Sequence, residues 1–262
     1  MTADWTHNIA NALVTARMTG APAALTPEVL AGLDDEAGIR VQQLTLERLR
    51  ARVVGWKVAV MPEGHVIAAP IIDQLLLHSP ATLPPIVYGL GAIECEIAFL
   101  MGRSLPEPRG ALFGRDEVAA SIDSACAAVE VLHSRLPGGL NSPRSALLAD
   151  MLSNGALVVG APLDKWSNID FKTIAVEFAV NRNVVMSRRG GLPSGDPLGG
   201  VVALANHLAR RGTPLLAGQY VTTGSYTGVH LASPGDEMVV SFEGFSELRL
   251  KFDTPENRLE EC

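Results

Sequence analysis

The sequence predicts an α+β protein, with a helical N-terminal segment over residues 1–52 and a β-rich body over residues 53–262 that forms one continuous unit. Three observations predict it. Apolar residues recur at helical spacing until about residue 52, and from residue 53 they recur at every second position. Helical patterns inside the body are too irregularly spaced for alternating βαβ units. The 262 residues, 47% hydrophobic and 19% charged, suffice for a sizeable core.

In chain order, residues 6–18 and 26–52 read as helices. Thr26 is placed to cap the second, with Pro27 at its first position and Glu28 in its first turn. Val41, Leu44, Leu46 and Leu49 continue its apolar stripe. VVGWKVAV, AIECEIAFL, AAVEVLHSRL, GALVVG, FKTIAVEFAVNRNVVMS, QYVTTGSY, EMVVSFE and ELRLKF then read as strands. Asn181-Arg182-Asn183 marks a hairpin turn. A helix returns at Asp196–Arg211, with Pro197 at its start and Gly212 after its end. Residues 137–145, PGGLNSPRS, are expected to be the most mobile loop.

Net charge is -7, and Arg48, Arg50 and Arg52 make only a short cluster on a helix face, so no nucleic-acid surface is expected. No apolar run approaches the roughly 18 residues that a membrane span needs. The N-terminal residues lack a signal-peptide pattern. Cys95, Cys126 and Cys262 have no CxxC spacing, which argues against a disulfide framework or zinc knuckle and fits a reducing cytoplasm.

The stretch GAIECEIAFLMGR, residues 91–103, poses the chemical question. Period 2 puts Glu94 and Glu96 on one face of a strand, with Ile93, Cys95, Ile97 and Phe99 on the other. Two carboxylates so placed repel unless water, protons or a cation intervenes. The bland alternative is a solvated outer face. Glu130 is a lone acid in the apolar run AAVEVLHSR. Either it pairs with a base such as Arg135, or it joins Glu94 and Glu96 as the third oxygen ligand of a hard divalent cation. The histidines lack metal-binding spacing. Lys57, in an apolar strand, either snorkels at a sheet edge or is desolvated into a usable base. Asp150 lies at a turn before a strand, and TTGSYTG, residues 222–228, is either a loop or a set of donors aimed at a carboxylate. The glycines of RRGGLPSGDPLGG fit no nucleotide-binding pattern and are loop punctuation.

Taken in order, GWK, ExE, a lone strand glutamate, ADMLSNG, GDPLGGVVALAN, AGQYVTTGSYTG and PGDEMVVSF resemble the fumarylacetoacetate hydrolase superfamily. Within it they are most similar to the 2-hydroxypenta-2,4-dienoate hydratase and 4-oxalocrotonate decarboxylase branch. The resemblance runs from about residue 40 to residue 252. It implies a β-rich roll with a mixed, curved sheet, usually assembled as a homo-oligomer. It implies Glu94, Glu96 and Glu130 as ligands of Mg²⁺ or Mn²⁺, and Lys57 as the lysine of a GYK motif. Ser225, Thr227 and Asp150 would lie on the side of a bound small 2-oxo acid, and Asn206 would be structural. The implied activity is that of a lyase hydrating a 2-oxo or 2-hydroxydienoic acid through a metal-stabilised enolate. Decarboxylation of an oxalocrotonate-like substrate is the alternative, and a non-catalytic member that kept the fold is the competing class. Two departures stand out. Ile71 occupies the place of the family's acid after GYK, leaving Asp73, two residues on, as the candidate for activating water once a gap restores register. Met151 stands where the family carries asparagine.

Overall fold

The computed structural model describes residues 2–83, 91–105 and 112–254, with side chains from residue 5 onward, so Cys262 lies outside the described residues. Three helices open the chain: α1 (Thr2–Thr19), α2 (Pro27–Ala31) and α3 (Asp35–Leu49). The single helix expected over 26–52 is thus two. Thr26 makes no side-chain cap, whereas the Asp34 carboxylate accepts the Ala37 N–H at 2.7 Å and starts a new helix with Asp35 and Glu36 in its first turn. Ile9, Leu13, Leu30, Val41 and Leu44 of these helices share a core with Leu136, Ala146 and Ala149. That packing anchors α5 (Arg144–Ala149), so the segment expected to be the most mobile loop leads through a short 3₁₀ turn, Gly139–Asn141, into a helix with buried contacts. The short α4 (Arg115–Ala119) packs against α6 (Pro197–Arg210). Asp196 caps α6 by accepting the Gly199 N–H at 3.1 Å, as the Asp-Pro start predicts.

The body holds two sheets. In the first, the strand order is β2 (Val66–Ile72), β1 (Val53–Val60), β10 (Tyr220–Thr222), β5 (Ala92–Met101), β6 (Ile122–Leu132), β7 (Asn154–Val159) and β3 (Leu76–His78), with β11 (His230–Leu231) also on β5. It is mixed: β1 runs parallel to β10 and β3 to β7, while the other neighbours are antiparallel. In the second, the order is β4 (Ala81–Leu83), β13 (Leu248–Phe252), β12 (Glu237–Phe242), β8 (Ala175–Val180) and β9 (Asn183–Arg189). Asn181 and Arg182 both take positive φ, 50° and 67°, which makes the expected hairpin between β8 and β9.

The two sheets enclose the main core. Ile93, Cys95, Ile97 and Phe99 of β5 cluster with Val129 and Val131 of β6 and with Val176, Phe178, Val240, Phe242 and Leu250 of the second sheet. Full burial of each such large side chain contributes about 1.5–3 kcal/mol. The other face of β5 carries Glu94, Glu96 and Ala98, and is lined by small or aliphatic residues including Val54, Ile71, Ala128 and Leu157.

That second face curls. Lys57 lies opposite Thr222, and Thr222 opposite Ala98, whereas Glu130 lies opposite Glu94. In a flat sheet three strand spacings, about 14 Å, and four residues, about 13 Å, would separate Lys57 from Glu130. Their side chains nevertheless form an ion pair. The first sheet therefore wraps around this face, giving the curved roll that the resemblance implied.

Candidate active site

The site begins with strand register. In the β5–β6 ladder Glu94 lies directly opposite Glu130, and Glu96 opposite Ala128. Each of the three glutamates offers an oxygen within 4.8 Å of the others. Glu96 and Glu130 are each only 2% exposed. Like charges opposite one another on adjacent strands are destabilising, more so away from water. Burial, reinforced by the Glu130 charge, raises the pKa of both Glu94 and Glu96.

Compensation is partial. The Lys57 ammonium donates to Glu130, and also to the Leu152 carbonyl at 2.9 Å. Asn154 Nδ2 donates to Glu130 at 3.4 Å, and the Gly224 amide to Glu96 Oε2 at 3.2 Å. One ammonium faces three carboxylates. The donors are all carboxylate oxygens, since Cys95 points to the opposite face. This set fits a hard divalent cation such as Mg²⁺ or Mn²⁺, and it lacks the nitrogen or sulfur ligands typical of zinc.

The turn that reaches Lys57 is unusual. Met151, Leu152 and Ser153 all take positive φ, 53°, 50° and 59°. The left-handed region costs a non-glycine residue roughly 1–2 kcal/mol. The turn is held by a buried ion pair. Arg135 Nε donates to Asp150 Oδ1 at 2.6 Å, and its other guanidinium nitrogens bond the carbonyls of Asp150 and Asn154 at 2.8 and 2.9 Å. Two expectations change as a result. Arg135 serves Asp150, not Glu130, because the Glu130 side chain lies on the face that Lys57 reaches. Asp150 braces the turn that presents Leu152 and Asn154, and its carboxylate is committed to Arg135 instead of a substrate.

A cavity of about 400 Å³ opens beside the glutamates. It exists because β10 ends at Thr222, after which the chain leaves the sheet between β1 and β5. Glu94, Gly224, Ser225, Thr227, Arg188 and Leu192 line it, among others. The 222–228 loop is fixed by β5: the Tyr226 N–H donates to the Cys95 carbonyl at 2.9 Å, and Thr227 Oγ1 accepts the Cys95 N–H at 3.1 Å. Tyr226 is buried edge-on against Phe242. Ser225 and Thr227 thus stand beside Glu94 on the cavity wall.

Asp73 is not brought to this cluster. It sits on a 3₁₀ turn, 3.6 Å from Arg52, and four residues past Ala69, the residue opposite Lys57. Four residues of strand span about 13 Å. Ile71 is 1% exposed and packs among Val54, Ala98 and Leu157. Asn206 is structural: its amide bonds both backbone groups of Phe113, at 2.8 and 3.1 Å. Sequence reasoning did not single out the Leu152 carbonyl, the Asn154 amide or the Gly224 N–H. Asn154 carried a signal, an amide three residues past ADM, but reads equally well as a turn former. Nothing in Met-Leu-Ser announces a left-handed run.

No family model matches the chain. The 2-keto-4-pentenoate hydratase of Paraburkholderia xenovorans (strain LB400) is 24% identical over 265 residues, covering 97% of each protein. The 4-oxalocrotonate decarboxylase from Pseudomonas putida G7, solved in complex with magnesium and adipate, superposes with a TM-score of 0.84 at 23% identity, over 96% of this chain and 98% of that one. The fumarylpyruvate hydrolase from Pseudomonas aeruginosa, solved with Mn²⁺ and pyruvate, shares the fold at a TM-score of 0.53 and 13% identity, over 76% of this chain and 88% of that one. With the glutamate triad and the curved mixed sheet, the end-to-end likeness to a hydratase and the shared fold of a decarboxylase support the resemblance to the hydratase and decarboxylase branch of the fumarylacetoacetate hydrolase superfamily.

Proposed function

We propose that this protein is a divalent-metal-dependent lyase of the hydratase type, acting on a small 2-oxo or 2-hydroxydienoic acid. One observation carries the reading: three mutually repelling carboxylates converge, and one of them, Glu94, lines a cavity whose wall also holds Ser225 and Thr227. Glu94, Glu96 and Glu130 would hold Mg²⁺ or Mn²⁺, which supplies Lewis-acid polarisation of a 2-oxo carboxylate when bound. Lys57 Nζ, fixed between Glu130 and the Leu152 carbonyl, is the group assigned to move the proton at substrate C3. The Ser225 hydroxyl is assigned to donate to the substrate carboxylate. Thr227, whose oxygen takes the Cys95 N–H, positions that loop. We extend the reading to a homo-oligomeric protein whose helical segment, residues 1–52, and body, residues 53–262, act as one unit.

A second reading, decarboxylation of an oxalocrotonate-like acid, is favoured by one observation. Ile71 leaves an apolar side chain where the family's acid stands, and Asp73 pairs with Arg52. Loss of carbon dioxide needs no residue to activate water.

The test is proton exchange. The protein is incubated with 2-oxopentanoate in D₂O, first with Mg²⁺ and then with EDTA, and the C3 protons are followed by NMR. Metal-dependent deuterium incorporation above the metal-only control is expected, and its absence would remove the lyase reading. Product analysis with 2-hydroxypenta-2,4-dienoate and with 4-oxalocrotonate then separates hydration from decarboxylation.

A further inference from the structure

Arg188 is the residue of the cavity wall that the reading above leaves without a task. It lies on β9, an edge strand, directly opposite Val176 of β8. Residues opposite one another in an antiparallel pair share a face, and Val176 is buried in the main core. Arg188 therefore leaves the core-facing side of the second sheet, and its exposed side chain lines the cavity that Glu94 also lines. Its neighbour Arg189, on the outer face, forms an ordinary surface ion pair with Glu243 at 3.1 Å. Among the described residues Arg188 has no such partner.

The backbone is shaped to receive this guanidinium. Gly191 has φ of +120°, and a Cβ there would come within 2.9 Å of Arg188 Cζ and Nε and 2.5 Å of the Tyr226 carbonyl. Only glycine leaves that space open. The wall that holds Glu94 and Arg188 also carries Val58, Val60, Leu192 and Pro193. The cavity wall thus carries Glu94 of the carboxylate cluster, the Arg188 guanidinium, which is unpaired among the described residues, and aliphatic surface besides. Arginine binds carboxylates through two parallel N–H groups, a geometry that lysine does not reproduce.

We propose that Arg188 binds a second carboxylate, remote from the 2-oxo acid group, so that the preferred substrate is a dicarboxylic 2-oxo acid. The inference rests on the 2-oxo-acid reading, and its test keeps the two apart. Calorimetric binding and C3 exchange are measured with 2-oxopentanoate and with 2-oxohexanedioate, both with Mg²⁺. Wild type is expected to bind the dioate at least about tenfold more tightly, with a correspondingly lower KM, since one charge-assisted pair is worth that much. Arg188→Met should erase the preference and leave 2-oxopentanoate unchanged. Arg188→Lys should restore part of it. Equal affinity of wild type for the two acids, or an equal effect of Arg188→Met on both, overturns the assignment. Absence of binding and exchange with either acid overturns the 2-oxo-acid reading, and this inference with it.

Discussion

Replacing Glu96 by Gln should make the metal-free protein more stable and remove the stabilisation that metal gives. Glu96 is buried, and its carboxylate lies within 4.8 Å of two others. At an effective dielectric of about 20, unit charges at that distance interact by roughly 3–4 kcal/mol. Glu96 meets two such repulsions and one attraction from Lys57, which leaves about 3 kcal/mol against its charged form. Proton uptake relieves part of this, so the gain from Gln, which keeps the acceptor for the Gly224 amide, is about 1–3 kcal/mol. At about 2–4 °C per kcal/mol for a chain of this size, Tm in EDTA should rise by about 2–12 °C. In wild type, Mg²⁺ or Mn²⁺ at a hundredfold excess over Kd adds about 2.7 kcal/mol. Differential scanning calorimetry of both proteins, in EDTA and in millimolar metal, gives the four values. An equal metal-induced rise in Glu96→Gln and wild type would refute the three-carboxylate site, and a lower Tm in EDTA would refute the repulsion argument.

Other outcomes follow from groups outside the cavity. Arg17 Nε and Nη2 are buried with no hydrogen-bond partner among the described residues, and burial, with the nearby Arg135 charge, lowers its pKa to about 9. Arg17→Met should therefore raise stability by about 1–3 kcal/mol at neutral pH. Because the folded-state pKa lies below the unfolded one, the cost of Arg17 is fully present below pH 9 and fades above it. The stability gap between variant and wild type, from urea titrations, should be flat from pH 6 to about 8.5 and narrow above 9. Asp150→Ala strands Arg135 and should cost about 3–5 kcal/mol in the same titrations. Cys95 and Cys126 are buried with thiol pKa values pushed up to about 12, so neither should be alkylated by iodoacetamide at pH 8 unless urea is added, as peptide mass spectrometry will report.

The legible and illegible parts of this molecule divide by the range of the interaction. The alternation in AIECEIAFL placed two carboxylates on one face from sequence alone, because the side-chain period of a strand is a local property. The hairpin at Asn181 and the Asp196 cap were legible for the same reason. The pairing of Glu94 with Glu130 depends on strand register across a long connection, so the residues alone left Glu130 between Arg135 and the triad, and the ordered resemblance chose the triad. The alternative that paired Glu130 with Arg135 fails because strand parity places the Glu130 carboxylate on the other side of β6, and Arg135 meets Asp150 instead. The break at Gly32–Asp34 was missed because Thr26-Pro27 is a strong start signal that hides a second one eight residues later. The left-handed run at Met151–Ser153 has no local signature at all. Tertiary contacts impose it.

The β5–β6 register also ties the chemistry to the core. One face of this ladder holds Ile93, Cys95 and Ile97 against the second sheet, and the other holds the glutamates. A slip of one residue would exchange the faces, sending the carboxylates into hydrocarbon and the aliphatic residues into the site. The packed side thus acts as a ruler for the charged side. Substitutions among Val129, Val131, Ile97 and Phe99, none of which touches the cavity, are the ones through which ligand spacing would drift. Repacking this core while preserving its volume is therefore a route to altering the spacing of the three carboxylates without changing any of them.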